Sequence, residues 1–398
     1  MATVILGGGI IGTSIAYYLS EGQSAENIHV VDSSSELFCS SSGYAAGFMA
    51  RDWFAPSLAL LGDLLFKLHE SLAAEKGGAE KWGYMKGSAL SLGVAAKKGG
   101  KCGDDWLCTG TSRAETAAGS EPITAEPLSW LTKQHGAETL KITVSILQGK
   151  DGSITAVKTV NLETKAESTI ACSNLILCAG PWTQRVLQEL FPASQVSLPI
   201  YPLAGYSLVL RSPRYTVEHE QTTYKGRSQA LFTTYPPNCG FCPELFSRQG
   251  AEVYIAGLNT RDIPLPERAD DYPKSMEQKE MDRLKAVSVR LLGKLAKGSS
   301  EATDEITNTD DLEVIREGLC FRPASERGTP FVGKINDSLL GKSIKTAGGV
   351  YVAAGHGPWG ISLSLGTGKV IAEMVKGVKP SADVSGLGVN KVERESKL

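Results

Sequence analysis

The amino-acid sequence predicts a mixed α/β (α+β) fold in which a strand–helix–strand domain is interleaved with an antiparallel sheet. Two observations lead to this prediction. Short apolar runs that end in glycine-containing turns lie near the start, the middle and the end of the chain, at 3–12, 174–183 and 349–360. Between 198 and 258, apolar and polar residues alternate instead, which is typical of antiparallel strands with one buried face. The alternating segment is therefore expected to interrupt the first domain.

Composition narrows the class of protein. The chain has 398 residues, of which 42% are hydrophobic and 21% charged, and its net charge is −2. This is typical of a globular protein with room for roughly two to three domains. Such a charge gives no electrostatic reason to expect nucleic acid or an anionic membrane surface as a partner. No apolar stretch has the length of a membrane span, and the first strand begins so early that we expect no signal or transit peptide.

The eight cysteines do not indicate a disulfide framework, because no secretory signal is expected. Cys239 and Cys242 have the spacing of metal ligands, but no second pair completes a zinc site. A loop with two buried thiols is the preferred interpretation, and metal or redox use is the alternative. No metal site is predicted.

The first 32 residues have the order of a nucleotide-binding unit: strand, glycine turn, helix, second strand and acid. Gly7 permits a tight turn, Gly9 lets the backbone approach a pyrophosphate, and Gly12 lets the helix pack closely on the strand. The unpaired N–H groups at the start of the helix would face the phosphates. Asp32 stands where a carboxylate can accept hydrogen bonds from a ribose. The unit predicts an adenine dinucleotide site, and a purely structural glycine turn is the alternative.

Further stretches of small residues are expected to complete this site. The segment 37–50 is rich in Ser, Gly and Ala, for which a flexible loop is the alternative interpretation. Glycines also follow the strands predicted at 174–178 and 349–354, and backbone without bulky side chains can approach a ligand closely. The candidate cofactor-binding residues are Gly7, Gly9, Ile10, Ile11, Gly12, Asp32, Ser33, Ser41, Ser42, Gly43, Ala46, Gly47, Ala179, Gly180, Trp182, Gly355, Gly357 and Gly360.

In order and in sequence, these stretches resemble the FAD-dependent amino-acid and amine oxidases of the D-amino-acid oxidase superfamily, above all its glycine oxidase and sarcosine oxidase branch. The stretches that carry the likeness are 7–32, 41–50, 175–183 and the pair 318–333 with 349–368. The resemblance implies FAD as the cofactor. It implies that the stretch 352–361 lies along the flavin, which adds His356, Trp359 and Ile361 to the candidate cofactor-binding residues. It also implies a Rossmann-like FAD-binding domain and an antiparallel-sheet substrate domain for a small amine or amino acid.

Domain boundaries follow from this interpretation. The FAD-binding domain is expected to be discontinuous, at 1–75, 126–197 and 312–380. The substrate-binding domain is expected at 76–125 and 198–311. The segment 381–398 is polar and is expected to be a flexible tail that carries a targeting signal.

Cys320 and Arg322 lie two residues apart on a predicted strand, so their side chains should point to the same face. The resemblance places Arg322 where related enzymes hold the substrate carboxylate, and a guanidinium suits a carboxylate because it forms two parallel hydrogen bonds. The alternative is an internal ion pair of Arg322 with Glu317 or Glu326. The resemblance also implies covalent attachment of FAD through Cys320, and a small buried strand residue is the alternative.

Three weaker candidates for the catalytic pocket are His356, Tyr206 and Arg51. His356, in the last glycine turn, would tune the flavin or the substrate amine, or would only hydrogen-bond a backbone carbonyl. Two positions depart from the family. Pro358 stands where glycine oxidase has a second arginine, and Tyr254 is the nearest equivalent of the lysine that sarcosine oxidases present to oxygen.

The chain ends in Ser396-Lys397-Leu398, a signal read by the peroxisomal import receptor. Because a peroxisome contains catalase, this address favours an enzyme that releases hydrogen peroxide. The sequence therefore predicts a peroxisomal FAD-dependent oxidase that takes a hydride from an amine carbon, forms an imine and reduces O2 to H2O2. The alternatives are an FAD-dependent amine dehydrogenase with another electron acceptor, or a flavin-fold protein without turnover.

Overall fold

The computed structural model describes residues 2–34, 36–92, 142–161, 163–234, 239–293 and 311–389. Its strands are β1 (Thr3–Leu6), β2 (Ile28–Val31), β3 (Gly87–Leu92), β4 (Ile142–Gln148), β5 (Ser153–Asn161), β6 (Glu167–Ala171), β7 (Asn174–Leu177), β8 (Ile200–Arg211), β9 (Ser228–Thr233), β10 (Glu244–Arg248), β11 (Glu252–Thr260), β12 (Glu313–Ser325), β13 (Phe331–Ile335), β14 (Lys345–Thr346) and β15 (Gly349–Ala354). Its α-helices are α1 (Ile10–Ser20), α2 (Ala59–Lys76), α3 (Gly78–Trp82), α4 (Thr183–Leu190), α5 (Val217–Tyr224), α6 (Gln278–Leu291), α7 (Asp337–Leu340) and α8 (Gly360–Val375).

A five-stranded sheet in the order β13-β15-β7-β1-β2 contains the N-terminal unit. Neighbours from β15 to β2 are parallel, and β13 pairs antiparallel with β15 at the edge. All four residues of β1 are buried, as expected of a central strand that is covered on both faces. Since parallel strands end at the same edge of a sheet, the turns after β1, β7 and β15 lie side by side. The sheet confirms the Rossmann-like part of the predicted fold.

Helices α1, α2 and α8 cover one face of this sheet. Ile15 of α1, Leu61 and Leu65 of α2, and Leu363 of α8 belong to one buried core. Leu61 and Leu65 are four residues apart, so both lie on the face of α2 that packs inward. In the ranges that the structure describes, no helix combines the length and the apolar character needed to cross a lipid bilayer.

A six-stranded sheet in the order β12-β8-β11-β10-β9-β3 forms the second layer of the molecule. Its strands are antiparallel neighbours except for β3, which runs parallel to β9. One face packs against α6, through Met281 and Leu284 among others. This sheet confirms the predicted antiparallel region. The part of the predicted segment 76–125 beyond residue 92 lies outside the described residues.

Strand β12 corrects one predicted domain boundary. The sequence placed 312–380 in the FAD-binding domain, but β12 pairs with β8 from Glu313 opposite Arg211 to Ser325 opposite Ile200. The position of β12 in the sequence suggested the wrong sheet for it, because its partner strand β8 lies far earlier in the chain. Cys320 and Arg322 are therefore presented to the site from the second sheet.

The segment 381–389 is packed, although the sequence placed it in a flexible tail. Ala382, Val384 and Leu387 are buried in the core beneath α8. Arg327 donates hydrogen bonds to the carbonyl oxygens of Leu387 (2.7 Å) and Gly388 (3.0 Å). The remainder of the predicted tail, 390–398 with its terminal Ser-Lys-Leu, lies outside the described residues.

Candidate functional site

A cavity of about 680 Å³ lies where the carboxyl edge of the parallel sheet meets the second sheet. Gly7, Gly9 and Asp32 line one end, which we call the nucleotide end. Cys320 and Arg322 line the other, which we call the substrate end. The structure thus brings the predicted cofactor stretches and the predicted substrate arginine together in one space.

The glycines of the first turn have the geometry that a nucleotide cradle needs. Gly7 has a φ of +124°, and a Cβ there would lie 2.3 Å from the carbonyl oxygen of Cys178. A Cβ on Gly12 would lie 2.0 Å from the carbonyl oxygen of Gly7, so only glycine lets α1 pack this closely on the turn. At Gly9 a Cβ would point toward Ser42 Oγ at 3.2 Å. A side chain at Gly9 would therefore intrude where the backbone meets the cavity.

Polar groups at the nucleotide end are fixed by backbone hydrogen bonds. The N–H of Ile10, at the start of α1, donates to Ser42 Oγ at 3.0 Å. The Asp32 carboxylate accepts from the N–H groups of Gly8 at 2.6 Å and Ser34 at 2.8 Å. These bonds leave lone pairs on both carboxylate oxygens, so Asp32 can also accept from a ribose hydroxyl. The Ser42 hydroxyl keeps its own hydrogen to donate to a phosphate oxygen, so Ser42 and Asp32 together fit the phosphates and ribose of a dinucleotide.

The turn after β7 forms a side wall of the cavity. Ala179, Gly180 and Trp182 line it, as predicted. Trp182 is buried, and its indole N–H donates to the carbonyl oxygen of Pro266 at 2.8 Å. This bond fixes the indole ring at the wall.

The turn between β15 and α8 lines the middle of the cavity through His356, Gly357, Trp359, Gly360 and Ile361. The His356 ring is buried, and its Nε2 lies 3.2 Å from the Thr367 hydroxyl instead of a backbone carbonyl. Burial lowers the pKa of His356 to about 3, so the imidazole is neutral at physiological pH.

Arg322 at the substrate end is held in place by a neighbouring strand. Its side chain is buried, and Nη1 donates to Asn259 Oδ1 at 2.7 Å. The two acids weighed as internal partners are engaged elsewhere, Glu317 with Lys285 and Glu326 with Arg261 at 3.3 Å. Because Arg322 also lines the cavity, its guanidinium can reach a carboxylate bound there.

Cys320 lines the cavity on the same face of β12 as Arg322, as the two-residue spacing predicted. Its side chain is buried. Burial raises the pKa of the Cys320 thiol, and the nearby Arg322 charge partly opposes this shift. The thiol is thus placed at the cavity surface in its protonated form.

Apart from Tyr254, sequence reasoning did not identify the aromatic and acidic lining of the substrate end. Phe48, Phe232 and Phe246 contact one another, with ring centroids 5.6–5.8 Å apart, and Tyr254 lies 5.8 Å from Phe246. All four line the cavity together with Glu244. The alternation of apolar and polar residues along β9 and β10 indicates which residues share a face of the sheet. It does not show which of the two faces meets the cavity.

Most of the predicted cofactor-binding residues line the cavity, but Gly12, Gly43 and Gly355 do not. Gly12 serves helix packing, as described above. A Cβ on Gly43 would lie 2.4 Å from the carbonyl oxygen of Phe38, so this glycine is needed for the turn itself. Gly355 has a φ of +82° and aims its Cβ position at the side chains around Ile200. The residues that do line it are Gly7, Gly9, Ile10, Ile11, Asp32, Ser33, Ser41, Ser42, Ala46, Gly47, Ala179, Gly180, Trp182, Cys320, His356, Gly357, Trp359, Gly360 and Ile361.

Two predicted pocket residues lie elsewhere. Tyr206 points to the opposite face of the second sheet, where its hydroxyl accepts a hydrogen bond from the Glu277 N–H at 3.0 Å. Arg51 is exposed and pairs with Asp63 of α2 at 2.7 Å. Neither lines the cavity. The prediction for Tyr206 was wrong because the direction in which β8 side chains point depends on the strands with which β8 pairs. The prediction for Arg51 was wrong because a residue next to a lining loop in the sequence need not have its side chain in the pocket.

The fold and the site define the chain as a dinucleotide-binding protein whose cavity is closed by a second, antiparallel sheet. Residues 2–98 and 131–374 match the family described as "DAO: FAD dependent oxidoreductase", and the chain belongs to this family. FAD is therefore its cofactor, and the glycine cradle, Asp32 and the extended cavity fit it. Among the described residues, no group of three or more His, Cys, Asp or Glu is arranged to hold a metal ion.

Several known proteins are similar to this chain. A protein of Schizosaccharomyces pombe that is provisionally named an oxidoreductase is 25% identical over 421 residues, covering 96% of each chain. The D-amino acid dehydrogenase of Bradyrhizobium diazoefficiens is 24% identical over 255 residues, which is 64% of this chain and 49% of the relative. Glycine oxidase from Geobacillus kaustophilus has the same fold, with a TM-score of 0.65, 17% identity and 98% of each chain covered.

Proposed function

We propose that this protein is a peroxisomal FAD-dependent oxidase of a small amine or amino acid that carries a carboxylate. The observation that supports this most is Arg322, a buried arginine that lines the same cavity as the nucleotide cradle. Asn259 fixes the Arg322 guanidinium at the cavity wall, and a guanidinium fixed there can meet a substrate carboxylate with two parallel hydrogen bonds.

Several residues that line the cavity have a task in this reaction. Bound FAD would accept a hydride from the amine-bearing carbon of the substrate and return the electrons to O2, giving an imine and H2O2. Arg322 binds and orients the carboxylate, and Asn259 keeps the guanidinium from rotating away. The rings of Phe48, Phe232 and Phe246 exclude water from the substrate. His356 is neutral at physiological pH, so its ring lines the cavity without adding a charge there.

An FAD-dependent dehydrogenase that passes electrons to another acceptor is the second candidate. The similarity to D-amino acid dehydrogenases and the fold shared with an L-proline dehydrogenase favour it. The fold shared with glycine oxidase and with NikD, described as an unusual amino acid oxidase, favours the oxidase. The two candidate activities differ in the electron acceptor, and both would use the same substrate end of the cavity.

A substrate screen on the purified holoenzyme tests both candidates. D- and L-amino acids, N-methyl amino acids and cyclic secondary amino acids are offered in air, and peroxide is measured with a peroxidase-coupled dye. The same compounds are then offered without oxygen, with an artificial quinone as the acceptor. Stoichiometric peroxide supports the oxidase, whereas turnover only with the quinone supports the dehydrogenase. Absence of turnover with every amine in both assays contradicts the proposed function.

The peroxisomal location is tested separately. We propose that Ser396-Lys397-Leu398 directs import, because the import receptor reads this terminal signal. A fluorescent protein is fused to the N-terminus of the full chain and of a chain without these three residues. The full chain should enter peroxisomes and the shortened one should stay outside. A matched control replaces Glu393-Arg394-Glu395 with alanines and should still be imported. Import of the shortened chain would contradict the proposal.

A covalent bond between Cys320 and FAD stays a prediction. The thiol lines the cavity, which is necessary for such a bond. Acid precipitation of the holoenzyme tests it. Yellow colour in the pellet that is lost in Cys320→Ala would establish the bond, and colour only in the supernatant would show that FAD is held by non-covalent contacts.

A further inference from the structure

The substrate end of the cavity contains two opposite charges on different strands. Arg322 approaches from β12, and Glu244 approaches from β10, on the far side of β8 and β11. The proposed function uses the arginine for a carboxylate and gives the acid no task. A carboxylate that lines a largely aromatic cavity is suited to a cation.

The sheet register shows what surrounds Glu244. On β10 it lies two residues before Phe246, so both side chains point to the same face. It stands directly opposite Phe232 on β9 and opposite Ala256 on β11. Directly opposed side chains on a sheet are close enough to touch. Glu244 therefore has Phe232 beside it on β9, Phe246 beside it along β10 and the small Ala256 beside it on β11.

The same register gives the spacing between the two charged groups. Nη1 of Arg322 reaches Asn259 on β11, which is opposite Gly205 of β8. Glu244 is opposite Ala256, which is opposite Ser207 of β8. Asn259 and Glu244 are therefore one strand apart across the sheet and two residues apart along the strand direction, counted on β8. With usual strand spacing and rise, Asn259 and Glu244 lie roughly 8 Å apart in their Cα positions. An aliphatic arm of a few carbon atoms spans that distance.

We propose that the substrate is an amino acid with a cationic side chain, whose carboxylate binds Arg322 and whose distal cation binds Glu244 between Phe232 and Phe246. This proposal rests on the proposed function, because it names the substrate class of the same site. An ammonium or guanidinium gains from a carboxylate and from ring faces, whereas an apolar side chain of equal length gains from the rings alone. The site then selects charge as well as length.

A binding experiment without turnover tests the proposal. The probes are 6-aminohexanoate, which has a carboxylate and a distal ammonium but no α-amine, and hexanoate, which lacks the ammonium. Their dissociation constants for the holoenzyme are measured from the absorbance change of the bound flavin. The aminated probe should bind roughly tenfold more tightly or better. In Glu244→Gln, which keeps the shape and removes the charge, this preference should disappear.

Glu252→Gln is the matched control, since Glu252 lies on the neighbouring strand, pairs with Arg211 at 3.0 Å and does not line the cavity. It should keep the preference for 6-aminohexanoate. Equal binding of the two probes to the wild type overturns the proposal, as does a preference that persists in Glu244→Gln. The wild-type comparison decides the question even if the Gln variant fails to fold.

Turnover separates failure of this proposal from failure of the proposed function. D- and L-lysine are compared with D- and L-norleucine, which has the same chain without the ammonium. A higher kcat/KM for a lysine isomer, lost in Glu244→Gln, supports the proposal. If norleucine is oxidised as well as lysine, the substrate class is wrong and the oxidase function stands.

Discussion

The two ends of the cavity are built in different ways. At the nucleotide end, backbone groups dominate: the turn at Gly7, the N–H of Ile10, and an Asp32 carboxylate that accepts backbone hydrogen bonds. At the substrate end, side chains from separate strands converge, with Arg322 from β12 and Glu244 from β10 among them. The first end recognises a constant ligand through a local chain geometry. The second depends on long-range pairing, and its side chains can change without altering the nucleotide cradle.

Gly9→Leu is the most severe test of the nucleotide end. Its side chain would extend from a Cβ that already lies 3.2 Å from Ser42 Oγ, into the space that the pyrophosphate needs. The variant should lose nearly all bound FAD, measured as flavin absorbance per protein after gel filtration. Gly386→Leu is the control, because its Cβ would have no neighbour within 4 Å. A yellow Gly9→Leu protein with normal FAD content would show that the cradle is not where the cofactor binds.

Arg322→Lys tests the substrate end. It keeps the charge but loses the two-pronged geometry, and we expect a loss of roughly 2–4 kcal/mol in transition-state binding, or about 30- to 1,000-fold in kcat/KM. FAD content should stay normal, which would distinguish this end from the other. Arg261→Lys, at an exposed ion pair with Glu326, should change kcat/KM little. Wild-type kcat/KM in Arg322→Lys on a carboxylate substrate would exclude the clamp.

His356 lies between the two ends and predicts a pH dependence of stability. Its folded-state pKa is lowered by burial from 6.5 to about 3, so the unfolded chain takes up the proton first as the pH falls. The contribution of His356 to the free energy of unfolding is present in full above pH 6.5 and is lost progressively below it, by roughly 2 kcal/mol at pH 5. Burial lowers the pKa of His69 to about 4, which acts in the same direction. In denaturant titrations from pH 8 to 5, His356→Gln should flatten the decline; an unchanged slope would contradict this role.

Tyr206→Phe should have the smallest effect. The hydroxyl on the far face of the second sheet only satisfies the Glu277 N–H, so its removal should cost about 1 kcal/mol of the free energy of unfolding. Denaturant titration measures this cost. KM and kcat should stay unchanged, and an altered KM would return Tyr206 to the substrate site.

The difference between the two ends of the cavity also explains which features of the protein the sequence could predict. The cradle from Gly7 to Asp32 was recognised because every contact lies within one short unit of the chain. Cys320 and Arg322 were placed correctly on one face because strand alternation is local. Which sheet β12 joins, and which face of β8 bears Tyr206, depend on pairing between distant segments. Glu244 was missed for the same reason, since nothing near it in the sequence indicates the cavity.

One irregularity in β12 bears on how such a chain can vary in length. A bulge inserts Ile315 between the positions that pair with Leu210 and Val209, upstream of Cys320 and Arg322. A one-residue slip downstream of the bulge would turn Leu319 and Phe321 toward the cavity and bury the arginine in the opposite core. Evolution can therefore add or remove single residues at the bulge, whereas from Gly318 to Arg322 the strand tolerates exchange of side chains but no change of length.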